Sequence, residues 1–100
     1  MHTAEKSNLE KLLFIFSYGM TECLKAGAIE IDEAERLLYW PGLMNELEEL
    51  NFSKELVDVI HLGTELDDVG RLMPDKLESS LDYLSDLALQ NIKKLPPVLY

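Results

Sequence analysis

The 100-residue sequence predicts an all-α domain, a compact orthogonal bundle of five to six helices, on three observations. Apolar residues recur at spacings of three and four along most of the chain. Glycine, proline and Ser/Asp/Asn signals punctuate that pattern at helical lengths. No stretch alternates apolar and polar residues long enough for a half-buried strand, since Ile29, Glu30 and Ile31 are too few. A hydrophobic content of 47% and a charged content of 28% fit one domain over residues 1–100, and exclude disorder and a disulfide-stapled miniprotein.

The first helix carries Leu9, Leu12, Leu13, Phe16, Met20, Cys23 and Leu24 on one stripe, after a flexible N-terminus over residues 1–6. Ser7 or Asn8 caps it, and Gly27, tolerant of the left-handed conformation, ends it. Phe14, Ile15 and Tyr18 lie off the stripe, so the helix middle is apolar almost all round and belongs at the centre of the bundle. Asp32 and Glu35 have capping-box spacing for a second helix, packed through Ala34, Leu37 and Leu38 and closed by Pro41. Pro41-Gly42 then reads as a sharp turn, with Trp40 held extended by the proline after it.

Leu43, Met44, Leu47 and Leu50 form one face of a third helix that Asn51 ends, with Glu46, Glu48 and Glu49 on the other. Ser53 caps a fourth, with Phe52 stapled to Val57 and Leu56, Val57 and Ile60 facing inward. Gly63 reads as its stop, and Thr64 as the cap of a short fifth helix carrying Leu66, Val69 and Leu72, which Gly70 weakens. Pro74 suits the first turn of the last helix, and Asp75 with Glu78 offers an alternative capping box. Leu77, Leu81, Leu84, Ala88, Ile92 and Leu95 form that helix's stripe, broadened by Tyr83 and Leu87, until Pro96-Pro97 forbids continuation. Residues 96–100 then form an extended apolar tail.

Phosphate loops, nucleophile elbows and zinc or calcium spacings are absent from the sequence, so no cofactor and no enzymatic activity are expected. Asp58 and His61 fall at i, i+3, half of a carboxylate di-metal motif, but the second copy is missing and Gly63 separates His61 from Glu65. An ordinary surface or capping histidine is the stronger reading. Cys23 is the single cysteine, which excludes an internal disulfide and fits a cytoplasmic setting; on the inner stripe it acts as a small hydrophobe. The longest apolar run, Leu12 to Phe16, is far too short to span a bilayer, and the first segment reads as mature protein.

Charge is the most informative feature. Residues 1–27 are net zero, residues 28–86 carry sixteen acids against four bases, and residues 87–100 add two lysines, for a total of −10. That balance argues against nucleic acid and anionic membrane surfaces as partners. Glu46, Glu48, Glu49, Glu55, Asp58, Glu65, Asp67 and Asp68 belong to three consecutive short helices whose shared negative surface would steer in a basic protein. Tyr39 and Trp40, at a helix end before a turn, are candidate anchors for that partner, with burial of Trp40 against the first helix as the alternative. Solubility alone is the competing explanation of the acids, with a homodimer through the C-terminal helix and tail as a second arrangement.

The segments Gly27-Ala28-Ile29-Glu30-Ile31-Asp32-Glu33-Ala34-Glu35 and His61-Leu62-Gly63-Thr64-Glu65-Leu66-Asp67-Asp68-Val69 resemble an uncharacterised bacterial family of small acidic helical proteins, a domain of unknown function. The resemblance implies bacterial origin and carries no activity. Small size and acidity are shared with immunity proteins that neutralise basic nucleases, an analogy without motif support.

Overall fold

The computed structural model describes residues 3–98, and within them the chain is all-helical. Six α-helices and one 3₁₀ turn follow in order: α1 (Thr3–Lys25), α2 (Ile31–Leu37), α3 (Pro41–Glu49), α4 (Lys54–Thr64), α5 (Leu66–Leu72), the 3₁₀ turn Pro74–Lys76, and α6 (Leu77–Lys94). Four of these carry the length, while α2 and α5 have seven residues each. The expected count of five to six is therefore reached only by counting two short segments.

α1 and α6 form the spine, and they run antiparallel instead of crossing as an orthogonal bundle would. Lys25 Nζ reaches Asp82 Oδ1 at 3.1 Å, Ser85 Oγ donates to Glu22 Oε2 at 2.8 Å, and Lys11 Nζ donates to the Pro96 carbonyl at 3.1 Å. This pairing gives the molecule extents of 42 × 24 × 20 Å around a radius of gyration of 13.5 Å. The remaining helices fill one side of the spine, with α4 packed on both α1 and α6.

Local signals explain most boundaries. α1 begins by Thr3, ahead of the Ser7 or Asn8 cap and inside the segment expected to be flexible. It ends in a Schellman motif: Gly27 has φ +72°, the Ala28 N–H donates to the Cys23 carbonyl at 2.9 Å, and the Gly27 N–H donates to that of Leu24 at 3.1 Å. α3 repeats the device with Asn51 at φ +60° and the Phe52 N–H on the Leu47 carbonyl at 3.0 Å. Ser53 caps α4 through its side chain, which accepts from the Leu56 N–H at 3.2 Å.

Other signals yield to packing. Extended Glu30, not Asp32, is the N-cap of α2, and Asp32 instead pairs with Arg36 one turn on. The Asp75–Glu78 box is not formed. Pro41 is the first residue of α3, not part of a turn before it, and Trp40 is extended as its proline neighbour requires.

The largest correction concerns which faces are buried. On α1 the inner stripe is Phe14, Ser17 and Thr21, flanked by Leu13, Met20 and Leu24, while Leu9, Leu12, Ile15, Phe16 and Cys23 are exposed. Leu37, Leu50, Leu72 and Tyr83, placed inward by their spacing, are more than half exposed. The core proper joins Phe14, Ala34, Leu38, Tyr39, Leu47, Phe52, Leu56, Val59, Ile60, Leu66, Leu81, Leu84 and Ala88.

Candidate functional site

Tyr39 shows how the core constrains the surface. Its ring is 1% exposed, and its hydroxyl lies 2.6 Å from Ser17 Oγ on α1. Burial pushes the phenol up to about 12, against a smaller lowering effect of the Ser17 hydrogen bond. The ring rests against Gly63, where an added Cβ would overlap it. α4 continues through Gly63 to Thr64 instead of stopping there, and the contact explains the glycine: it permits close approach of an aromatic ring. Thr64 does not cap α5, since its hydroxyl donates back to the His61 carbonyl at 2.6 Å. Tyr39 consequently has no surface to offer a partner, which corrects its assignment as an anchor. Trp40, the N-cap of α3, keeps 37% of its surface.

With α4 unbroken, His61 and Glu65 lie one turn apart and pair, Nε2 to Oε1 at 3.3 Å, both exposed. Among the described residues no three His, Cys, Asp or Glu side chains converge in a way that could hold a metal ion.

The acidic candidates divide by place and by pairing. An open groove of about 610 Å³ between α3 and α4 brings Glu48 and Asp58 together with Lys54 and His61, over Met44, Phe52 and Val57. Glu65 lines a different depression, of about 390 Å³, where α4 and α5 face Ser79, Ser80 and Tyr83 of α6. A third, of about 330 Å³, joins Trp40 to Glu35, Arg36 and Thr64. Glu46, Glu49, Glu55, Asp67 and Asp68 are exposed outside these three depressions. Asp58 is tied to Lys54, and Asp67 and Asp68 share Arg71, so two cations compensate part of the charge on α4 and α5 within one turn. Glu46, Glu48, Glu49 and Glu55 form no ion pair among the described residues.

Elsewhere, the Lys25 ammonium and the Ser85 hydroxyl hold the Glu22 carboxyl below the usual carboxylate range, and Glu22 and Asp82 hold Lys25 above its own. Of the tail, Val98 is exposed and Leu99 and Tyr100 lie outside the described residues. No helix among the described residues is long and apolar enough to cross a membrane.

These features define an acidic, all-helical domain with open surface grooves and a polar tyrosine contact at its centre. The chain belongs to the family described as a protein of unknown function (DUF3969), whose model matches residues 4–99. No curated protein and no solved structure matches the chain.

Proposed function

We propose that the domain is a non-enzymatic protein-binding module that receives a basic protein along the α3–α4 hairpin, as an inhibitor or immunity-type neutraliser would. The observation that supports this reading is the run of exposed, unpaired glutamates on that hairpin, Glu46, Glu48, Glu49 and Glu55, beside a groove with an apolar floor. Unpaired carboxylates supply long-range attraction, and Met44, Phe52 and Val57 supply surface that a docked side chain desolvates. Trp40, at the start of the same helix, lines a separate depression and adds aromatic contact area for a partner that extends beyond the groove. The α5 acids contribute less, because Arg71 already neutralises part of their field.

The test compares the wild type with a Glu46→Lys, Glu48→Lys, Glu49→Lys variant in capture from source cells at low salt, followed by association kinetics with the captured protein. Steered association reaches about 10⁸ M⁻¹s⁻¹ at low salt, so charge reversal slows it by roughly tenfold or more and flattens its salt dependence. Capture and association rates that are the same for both proteins end this reading.

A further inference from the structure

We propose that the outer face of α1 is a self-association surface, against which a second copy of this chain lays its own α1 antiparallel. The inference is independent of the acidic hairpin. Leu9, Leu12, Ile15 and Phe16 keep 36%, 43%, 44% and 51% of their surface exposed, and Cys23 and Gly19 continue the same face. The stripe 9, 12, 16, 19, 23 has spacings of three and four, so these positions stack along one side of the helix. It lies opposite Phe14, Ser17 and Thr21, the side that packs into the fold. Its four large side chains present on the order of 300–400 Å² of contiguous apolar surface, the size that marks an interaction site. Two such faces with their flanks bury about 1,000 Å², the lower limit of a specific interface.

Charge says what covers it. Residues 12–21 contain no charged side chain, and residues 1–27 are net zero in a chain of net charge −10. A basic partner gains nothing electrostatically on such a face. Two copies that each carry sixteen acids over residues 28–86 repel through most of their surface, and α1 offers a face on which they meet without opposing those acids. Lys11 and Glu22 bound the uncharged stretch at equal distances from a midpoint beside Phe16, and both lie on the α6 side of α1. A two-fold axis at that midpoint sets Leu9 near the other copy's Cys23, while Lys11 stays on the Pro96 carbonyl and Glu22 on Lys25 and Ser85 of its own chain.

Sedimentation equilibrium of the full chain tests this. The wild type sediments at twice the monomer mass with an affinity that holds or tightens as salt rises, opposite to a complex with a basic protein. Phe16→Glu places two carboxylates at the axis and weakens the dimer by about a hundredfold or more, while its helicity and thermal unfolding as a monomer match the wild type. Leu9→Cys supplies a second readout that needs no destabilising change. Mild oxidation links it to Cys23 of the other copy as a covalent dimer, because within one chain the two positions are about 21 Å apart along the helix and beyond disulfide reach. A wild type that stays monomeric, a dimer that survives Phe16→Glu, or a Leu9→Cys protein that fails to cross-link overturns the proposal. Binding of the monomer to phosphatidylcholine vesicles, abolished by Phe16→Glu, would reassign the face to a lipid surface and overturn it equally.

Discussion

Replacing Gly63 with alanine adds one methyl group to a buried helical position, and its effect can be worked from the geometry. The new Cβ would lie well under 3.0 Å from three ring carbons of Tyr39, a separation that real Cβ atoms essentially never show. Ordinary carbon–carbon contact is about 3.5–4.0 Å, so the ring or the helix must retreat by more than about 1 Å. The ring has nowhere to go, since Tyr39 is 1% exposed and its hydroxyl is fixed to Ser17 at 2.6 Å. Overpacking of this kind costs about 1–3 kcal/mol, and a stranded buried hydroxyl adds about 1–3 kcal/mol. The better helix propensity of alanine returns about 1 kcal/mol.

The net expectation is a loss of about 1–5 kcal/mol, or roughly 5–25 °C in Tm for a domain of this size. Urea and thermal unfolding followed by circular dichroism measure it. Gly19→Ala is the control: it sits mid-helix with nothing within 4 Å of its new Cβ, and it gains up to about 1 kcal/mol. In a Tyr39→Leu background the Gly63→Ala penalty shrinks, since the clashing ring is gone. A Gly63→Ala protein as stable as the wild type would refute the claim that the tyrosine ring sets this position.

The same tyrosine predicts alkaline behaviour. Its folded value of about 12 lies above the ordinary 10.0, so its contribution is complete well below pH 10 and is lost as pH rises from 10 through about 12; this amounts to about 2 kcal/mol that Tyr39→Phe does not lose over that range, as unfolding midpoints will show. Asn51, at φ +60°, tolerates glycine at little cost, whereas Asn51→Ala loses about 1 kcal/mol in urea titrations because a Cβ without a compensating side-chain amide disfavours that region. Glu10 accepts the backbone N–H of Ser53 at 2.6 Å and so joins α1 to the start of α4; Glu10→Ala lowers stability by about 1–2 kcal/mol and speeds amide exchange at Ser53.

The helical class, the inward positions Leu56 and Ile60 of α4 and Leu81, Leu84 and Ala88 of α6, and the caps at Gly27, Asn51 and Ser53 were legible because each rests on local chemistry. A left-handed residue or a side-chain cap acts within one turn and needs no knowledge of the rest of the fold. The boundaries that were misjudged depend on distant residues. Gly63 reads as a stop by its own propensity, and only the Tyr39 ring, twenty-four positions earlier in the sequence, shows why the helix passes through it. The acids were legible as a count and not as a surface, because their compensation by Lys54 and Arg71 follows from which residues sit one turn away on unbroken helices.

α1 shows the limit most clearly. A helix apolar almost all round carries no periodic mark of its inward side, so spacing favoured the face with more bulk, including Leu12 and Phe16. The fold buries the other face. Packing Tyr39 against α1 requires a partner for a buried phenol, and among residues 12–21 the hydroxyls of Ser17 and Thr21 lie on one side, where Ser17 meets the phenol and Thr21 bonds back to the Tyr18 carbonyl at 2.9 Å. The Tyr39–Ser17 hydroxyl pair and the burial of Phe14 both agree with this rotation of the longest helix. It is that rotation, and not any shortage of apolar residues in the core, that leaves Leu9, Leu12, Ile15 and Phe16 facing outward. Tyr39→Phe removes the polar requirement while leaving the apolar bulk in place. If α1 keeps its rotation when Tyr39→Phe is made in the Phe16→Glu background, where no second copy covers Cys23, as read by the accessibility of Cys23 to thiol reagents, packing shape alone sets the helix; if Cys23 becomes protected, the hydroxyl pair was holding it.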